Sequence, residues 1–167
     1  TEITLPPLVI DADGINLLAE IEKWWEKLPE NTIITPHPGE MARLCDCETS
    51  EVQANRWELA QEKAKAWNVY VVLKGAHTLI AAPDGQLAVL PFNTDALATA
   101  GTGDILAGMI TSMVAQGLDS FSAAVCGGYL HGLAGELVTK SQGTSRSSIA
   151  TDLLNQIGAA FRLIETH

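Results

Sequence analysis

Basic residues are scarce. Ten Lys and Arg stand against twenty Asp and Glu among 167 residues, for a formal net charge of −10. A chain of that sign repels polyanions, which argues against nucleic acid or an anionic membrane as the main partner. Any phosphate it binds must be held locally, by amide donors and one or two placed cations. Cysteine is equally sparse: Cys45, Cys47 and Cys126 are an odd number, with the first two one residue apart, so a disulfide framework is not expected. Nor do they offer the paired spacing of a zinc site, since His37 is the only histidine near them in sequence; ordinary reduced thiols are the expectation. No run of eighteen apolar residues occurs, and the opening Thr-Glu-Ile-Thr-Leu-Pro-Pro lacks a charged n-region followed by an apolar core. Neither a membrane-spanning helix nor export is expected, and the cytoplasm is the expected location. Internal repeats and low-complexity tracts are missing too.

What remains is the material of a globular α/β domain. With 47% hydrophobic content, 167 residues suffice for one domain with a substantial core. Short β-rich runs alternate with amphipathic stretches, the pattern of a layered α/β structure. Strands are expected at Leu8-Val9-Ile10, Thr32 to Thr35 and Val69 to Leu73. Thr78 to Ala82 and Leu87 to Leu90 flank the turn signal Pro83-Asp84-Gly85-Gln86 and read as a hairpin. Helices are expected over about 15–26, where Ile15, Leu18, Ile21 and Trp25 share a face, and over 40–44, 50–67, 104–116, 121–139 and 147–164.

The segment Ala98-Thr99-Ala100-Gly101-Thr102-Gly103-Asp104, opening an apolar helix, joins three chemical devices. Gly101 and Gly103 allow close backbone approach to a ligand. Thr102 places a hydroxyl inside the turn, and the first helical turn offers unpaired amide donors at the positive end of the helix dipole. That suits a phosphate. A carboxylate beside an anion site is costly unless it has work there, such as taking a proton from a hydroxyl that attacks phosphorus. Asp104 therefore reads either as such a base or as a favourable first-turn acid.

Ligands in open α/β sheets sit beyond the carboxyl ends of parallel strands, and here each such end carries polar residues: Asp11-Ala12-Asp13-Gly14-Ile15-Asn16, then Thr35-Pro36-His37-Pro38-Gly39-Glu40, then Lys74-Gly75-Ala76-His77. Singly, Asp13 reads as a helix cap, Glu40 as a first-turn acid and Lys74 as a solvated strand end. Jointly with the glycine turn they place a cation, carboxylates and an anion hole at one edge of one sheet.

These segments, with Val71 to Gly75, Ala98 to Gly108 and Tyr129 to Gly135, resemble the NAD(P)H-hydrate dehydratases of the ribokinase-like superfamily, over most of residues 7 to 140. The resemblance implies a three-layer α/β/α sheet. It also implies repair of NADH or NADPH hydrate: ADP or ATP phosphorylates the ring hydroxyl, and phosphate is then eliminated as the ring nitrogen pushes it out. On that resemblance Asp104 matches the catalytic base and Gly101, Thr102 and Gly103 the anion hole. Lys74 and Gly75 look like nucleotide-phosphate contacts, while Asp13, Asn16 and His37 fall on the substrate side. His37 also reads as a brace of its own loop. Glu40 falls on the magnesium side, acting through water because magnesium sheds its hydration reluctantly. His131 reads as a packing histidine.

The chain departs from the family pattern at Asn93-Thr94-Asp95-Ala96-Leu97, where something closer to Asn-Pro-x-Met is common, and at Ala100, where glycine is common. Strands crowd the first ninety residues and the chain opens on Thr1 rather than Met, so residues 1–167 are expected to be one partial domain lacking its N-terminal part. An upstream portion or an oligomer partner would then complete the cleft. A small-molecule kinase of the same superfamily and a non-catalytic nucleotide-binding fragment are the alternatives.

Overall fold

The computed structural model describes residues 6–165; the first five residues of the opening stretch read above for a targeting signal lie outside it. Five strands run in the order β1 (Val9–Ile10), β2 (Ile33–Ile34), β3 (Tyr70–Leu73), β4 (Leu79–Ala81) and β5 (Leu87–Val89), each beside its sequence neighbour. The first three are parallel, with Ile10 opposite Ile34 and Ile34 opposite Val71; the last two pair antiparallel as the hairpin expected from the turn residues. The turn closes as its chemistry requires, since Asp84 accepts from the Gln86 amide at 3.0 Å and Gly85 takes φ 94°.

Alternation along the strands divides the core. Ile34, Val71, Leu73, Leu79 and Ala81 face one side, packing with residues of α1 (Asp13–Ala19), α2 (Pro38–Cys45), α3 (Thr49–Ala54) and α4 (Arg56–Trp67). Ile33, Val72 and Ile80 face the other, against α5 (Thr102–Ala115) and α6 (Ser120–Gln142), with α7 (Ala150–Glu165) packed outside them. The result is three layers, helices on sheet on helices, as period-2 strands with two apolar faces demand.

Two expected helices are broken, each by a tertiary demand. The stretch expected to be helical over 15–26 ends at Ala19, and after Lys23 at φ 50° a short 3₁₀ turn, Trp24–Lys27, replaces it. The break brings Trp24 rather than Ile21 inward: Trp24 is 3% exposed, its ring 5.0 Å from Trp67 and 5.6 Å from Trp25, whereas Ile21 is 40% exposed. The helix expected over 50–67 divides at Asn55, whose φ of −127° and ψ of 35° turn the chain between α3 and α4. The departing segment Asn93 to Leu97 leads into another 3₁₀ turn, Asp95–Ala98, capped by the Thr94 hydroxyl. The three thiols are free. Among the described residues no helix is long and apolar enough to cross a membrane.

Candidate active site

The carboxyl ends of β1, β2 and β3 lie side by side, so the residues just past them converge. Asp11 and Lys74 meet with Nζ to Oδ1 at 2.6 Å, and the Thr35 hydroxyl donates to the same Asp11 oxygen at 2.7 Å. Glu40 lies 3.7 Å from Lys74 Nζ on another side. Burial works to raise the Asp11 pKa, but hydrogen bonds from Lys74 and Thr35 and the Lys74 charge outweigh it and hold the carboxyl below its ordinary value. Asp11 and Thr35 both open strand-end motifs, but only their partners across the sheet mark them as part of the site.

His37 and Glu40 form a capping box at the start of α2. His37 Nδ1 accepts from the amides of Gly39 at 3.0 Å and Glu40 at 3.2 Å, while Glu40 Oε2 accepts from the His37 amide at 2.7 Å. Accepting at Nδ1 places the neutral ring's proton on Nε2, which lies 3.4 Å from Glu40 Oε1. The ring thus braces the loop that presents Glu40, which is itself buried.

The glycine turn closes the site from the opposite layer. Gly101 adopts φ 87°, a left-handed conformation that favours glycine, and α5 starts directly after it. The Thr102 hydroxyl is turned inward, within 2.7 Å of the Leu97 and Thr99 carbonyls, so it shapes the turn; its amide also donates to Thr99. A Cβ built on Gly103 would stand 3.5 Å from Lys74 Nζ and 3.7 Å from Asp11 Oδ2, which brings the turn directly against the ion cluster. His131 lies behind the turn. Its Nε2 donates to the Thr102 carbonyl at 2.8 Å, and burial pushes its pKa down to about 4, so it is a neutral packing histidine.

The turn separates two recesses. On one side is a cavity whose lining includes Lys74, Gly75, Phe92, Gly103 and His131. On the other, exposed Asp104 stands at the edge of an apolar groove formed by Met109, Met113, Ile157 and Phe161. The first turn of α1 reaches the same end of the sheet: Asp13 is exposed, and Asn16 donates weakly to it at 3.4 Å while accepting from Arg43 at 2.6 Å. Arg43 lies just past the Pro-His-Pro-Gly-Glu motif, and only its contact with Asn16 across to α1 gives it a role.

Small residues on α6 shape the cavity wall. A Cβ on Gly132 would fall 2.0 Å from Phe92 Cδ2, and one on Gly128 2.7 Å from Leu90 Cδ1. Among the described residues no group of three or more His, Cys, Asp or Glu is gathered to hold a metal by itself.

Fold and site together define an α/β protein of the ribokinase-like class. Hydroxyethylthiazole kinase from Pyrococcus horikoshii shares the fold alone, with a TM-score of 0.71 at 15% identity over 90% of this chain and 59% of that one. The chain belongs to the NAD(P)H-hydrate dehydratase family, which matches residues 2–158. It is 40% identical over 156 residues to an ADP-dependent (S)-NAD(P)H-hydrate dehydratase of Neisseria meningitidis, covering 92% of this chain and 52% of that protein. A bifunctional NAD(P)H-hydrate repair enzyme of Moorella thermoacetica is 41% identical over 95% of this chain and 30% of its own length. An ADP/ATP-dependent NAD(P)H-hydrate dehydratase from Bacillus subtilis, co-crystallised with ATP and Mg2+, superposes with a TM-score of 0.83 at 34% identity, over 93% of this chain and 54% of that one. The chain therefore spans about half the length of the Neisseria and Bacillus proteins and under a third of the Moorella protein.

Proposed function

We propose that this chain carries the nucleotide corner and catalytic base of an ADP- or ATP-dependent dehydratase acting on NADH or NADPH hydrate. The observation that carries this reading is the position of the Gly101 to Gly103 turn, with the Lys74 cavity on one side and Asp104 on the other. Phosphoryl transfer needs donor and acceptor on opposite sides of the transferred group. In this reading the nucleotide lies in the cavity, its phosphates against Lys74 and Gly75, and the terminal phosphoryl group rests on the glycine turn. The Gly103 and Asp104 amides, in the first turn of α5, make no hydrogen bond among the described residues and are free to receive it.

Asp104 takes the proton of the ring hydroxyl as that oxygen attacks phosphorus, and the nucleotide leaves with the electron pair of the broken P–O bond. The ring nitrogen lone pair then expels phosphate with the C–O electrons, and loss of a ring proton restores the double bond. Hydroxide leaves poorly and phosphate leaves well, so the nucleotide is spent on the leaving group. Asp13 and Asn16, the latter held by Arg43, fall on the substrate side; His37 holds Glu40 and borders the same space. Glu40, buried and held by His37, is the carboxylate that would hold Mg2+ through water, with phosphate completing the shell. Bound there, the ion would neutralise phosphate charge.

The test follows free phosphate and the dihydronicotinamide absorbance together, from NADH hydrate with magnesium and ADP or ATP. One phosphate released per cofactor restored supports the dehydratase. A stable phosphorylated product, with no absorbance gained, would replace it by the kinase.

A further inference from the structure

Arg56 opens α4 immediately after the break at Asn55, and none of the roles above uses it. Its guanidinium lies against the loop that follows β3: Nη1 donates to the Ala76 carbonyl at 2.7 Å, and Nη2 to the Leu73 and Lys74 carbonyls at 3.3 and 3.4 Å. The approach is close. A Cβ built on Gly75, which holds φ 142°, would stand 2.9 Å from Nη2 and 3.3 Å from Cζ. Nε is buried without a hydrogen-bond partner among the described residues, a cost accepted where the other contacts dictate the position of the group.

Resting on the reading of Lys74 and Gly75 as nucleotide-phosphate contacts, we infer that Arg56 is a positioning residue that turns the Lys74–Gly75–Ala76 backbone so that its amides, not its carbonyls, face the nucleotide. The C=O and N–H of a trans peptide point in opposite directions, and no cis bond occurs among the described residues. Drawing the Leu73, Lys74 and Ala76 carbonyls onto the guanidinium therefore sends the Lys74, Gly75 and His77 amides the other way. Two of these are taken: Lys74 donates to the Pro36 carbonyl at 2.8 Å and His77 to the Phe92 carbonyl at 2.9 Å. The Gly75 amide has no acceptor among the described residues, and Gly75 lines the cavity. Removing the guanidinium releases three carbonyl oxygens, and any that swing toward the cavity set a negative dipole end against a phosphate.

Arg56→Met, Arg56→Lys and Gly75→Ala in the full chain test this, with ADP and ATP affinity measured calorimetrically, the melting temperature measured without nucleotide, and KM for nucleotide separated from kcat. Arg56→Met weakens nucleotide binding roughly tenfold or more, the scale of one charge-assisted hydrogen bond. Arg56→Lys does not restore it, because one ammonium lacks the planar fork that reaches three carbonyls. Gly75→Ala drives a methyl group against the same guanidinium and, at φ 142°, strains the backbone as well, so it weakens binding at least as much. The loss falls on KM for nucleotide more than on kcat. Wild-type affinity in Arg56→Met, or in Gly75→Ala should the Met variant fail to fold, would make Arg56 a stability residue and overturn the inference while leaving the proposed function standing. A wild-type chain that binds neither ADP nor ATP would overturn both.

Discussion

Lys74 Nζ sits 2.6 Å from Asp11 Oδ1, joining the ends of β3 and β1 across 63 residues of sequence. The pair is largely buried, with side chains 19% and 12% exposed, and Glu40 and the glycine turn crowd it from two further directions. One cation thus links three strand ends to the glycine turn, and its loss should be felt in stability and in the proposed nucleotide binding.

Asp11→Asn keeps the shape but removes the charge, leaving Lys74 with only the more distant Glu40. A cost of about 2–4 kcal/mol is expected from denaturant unfolding, toward the lower end of broken buried pairs. Because the folded-state pKa of Asp11 is lowered, its contribution is present above the unfolded carboxylate value and is lost as pH falls through the folded value. Asp11→Asn should therefore differ least from wild type in strong acid.

Lys74→Met leaves two carboxylates facing the place where nucleotide phosphates are proposed to bind. Nucleotide affinity should fall by more than tenfold, the scale of a lost charge-assisted contact plus new repulsion. The nucleotide-induced rise in melting temperature reads this out.

His131 gives a second pH signature with its own window. Burial lowers its pKa from 6.5 to about 4, so between those values the unfolded chain binds more protons than the folded one. Stability from this group is complete above the unfolded value and falls as pH drops toward 4, by on the order of 3 kcal/mol. His131→Gln retains a donor for the Thr102 carbonyl and should remove that part of the pH slope.

Gly132→Ala sets a methyl group 2.0 Å from Phe92 Cδ2, a position no real pair of atoms occupies. Phe92 must move, and overpacking of this kind costs about 1–3 kcal/mol. Since Phe92 lines the cavity proposed for the nucleotide, nucleotide affinity should fall together with the unfolding midpoint.

What was legible in the sequence was whatever local chemistry decides. The turn residues Pro83 to Gln86 predicted the hairpin, and the glycines before Asp104 predicted a turn feeding a helix. The strand-end motifs predicted that polar residues converge at one end of the sheet, and the structure brings His37, Glu40 and Lys74 together there, while Asp13 stays exposed beside Asn16. What was illegible depends on partners far away in sequence. Trp24 ends the first helix early because Trp67 waits for it, and Asn55 breaks the next so that Arg56 meets the loop after β3. The glycines of α6 are needed only because Leu90 and Phe92 press against that helix. Asp11 belongs in the same group, since its value lies in Thr35 and Lys74 on neighbouring strands.

Asp104→Asn tests the central claim most directly, through the rate of dihydronicotinamide recovery from NADH hydrate with magnesium and ADP or ATP, alongside nucleotide affinity. The side chain is exposed and keeps its shape, so folding and nucleotide binding should be retained. The nucleotide-dependent rate should fall by about 10²–10⁴, the range of a lost general base. An Asp104→Asn protein that repairs the cofactor at the wild-type rate would contradict the account.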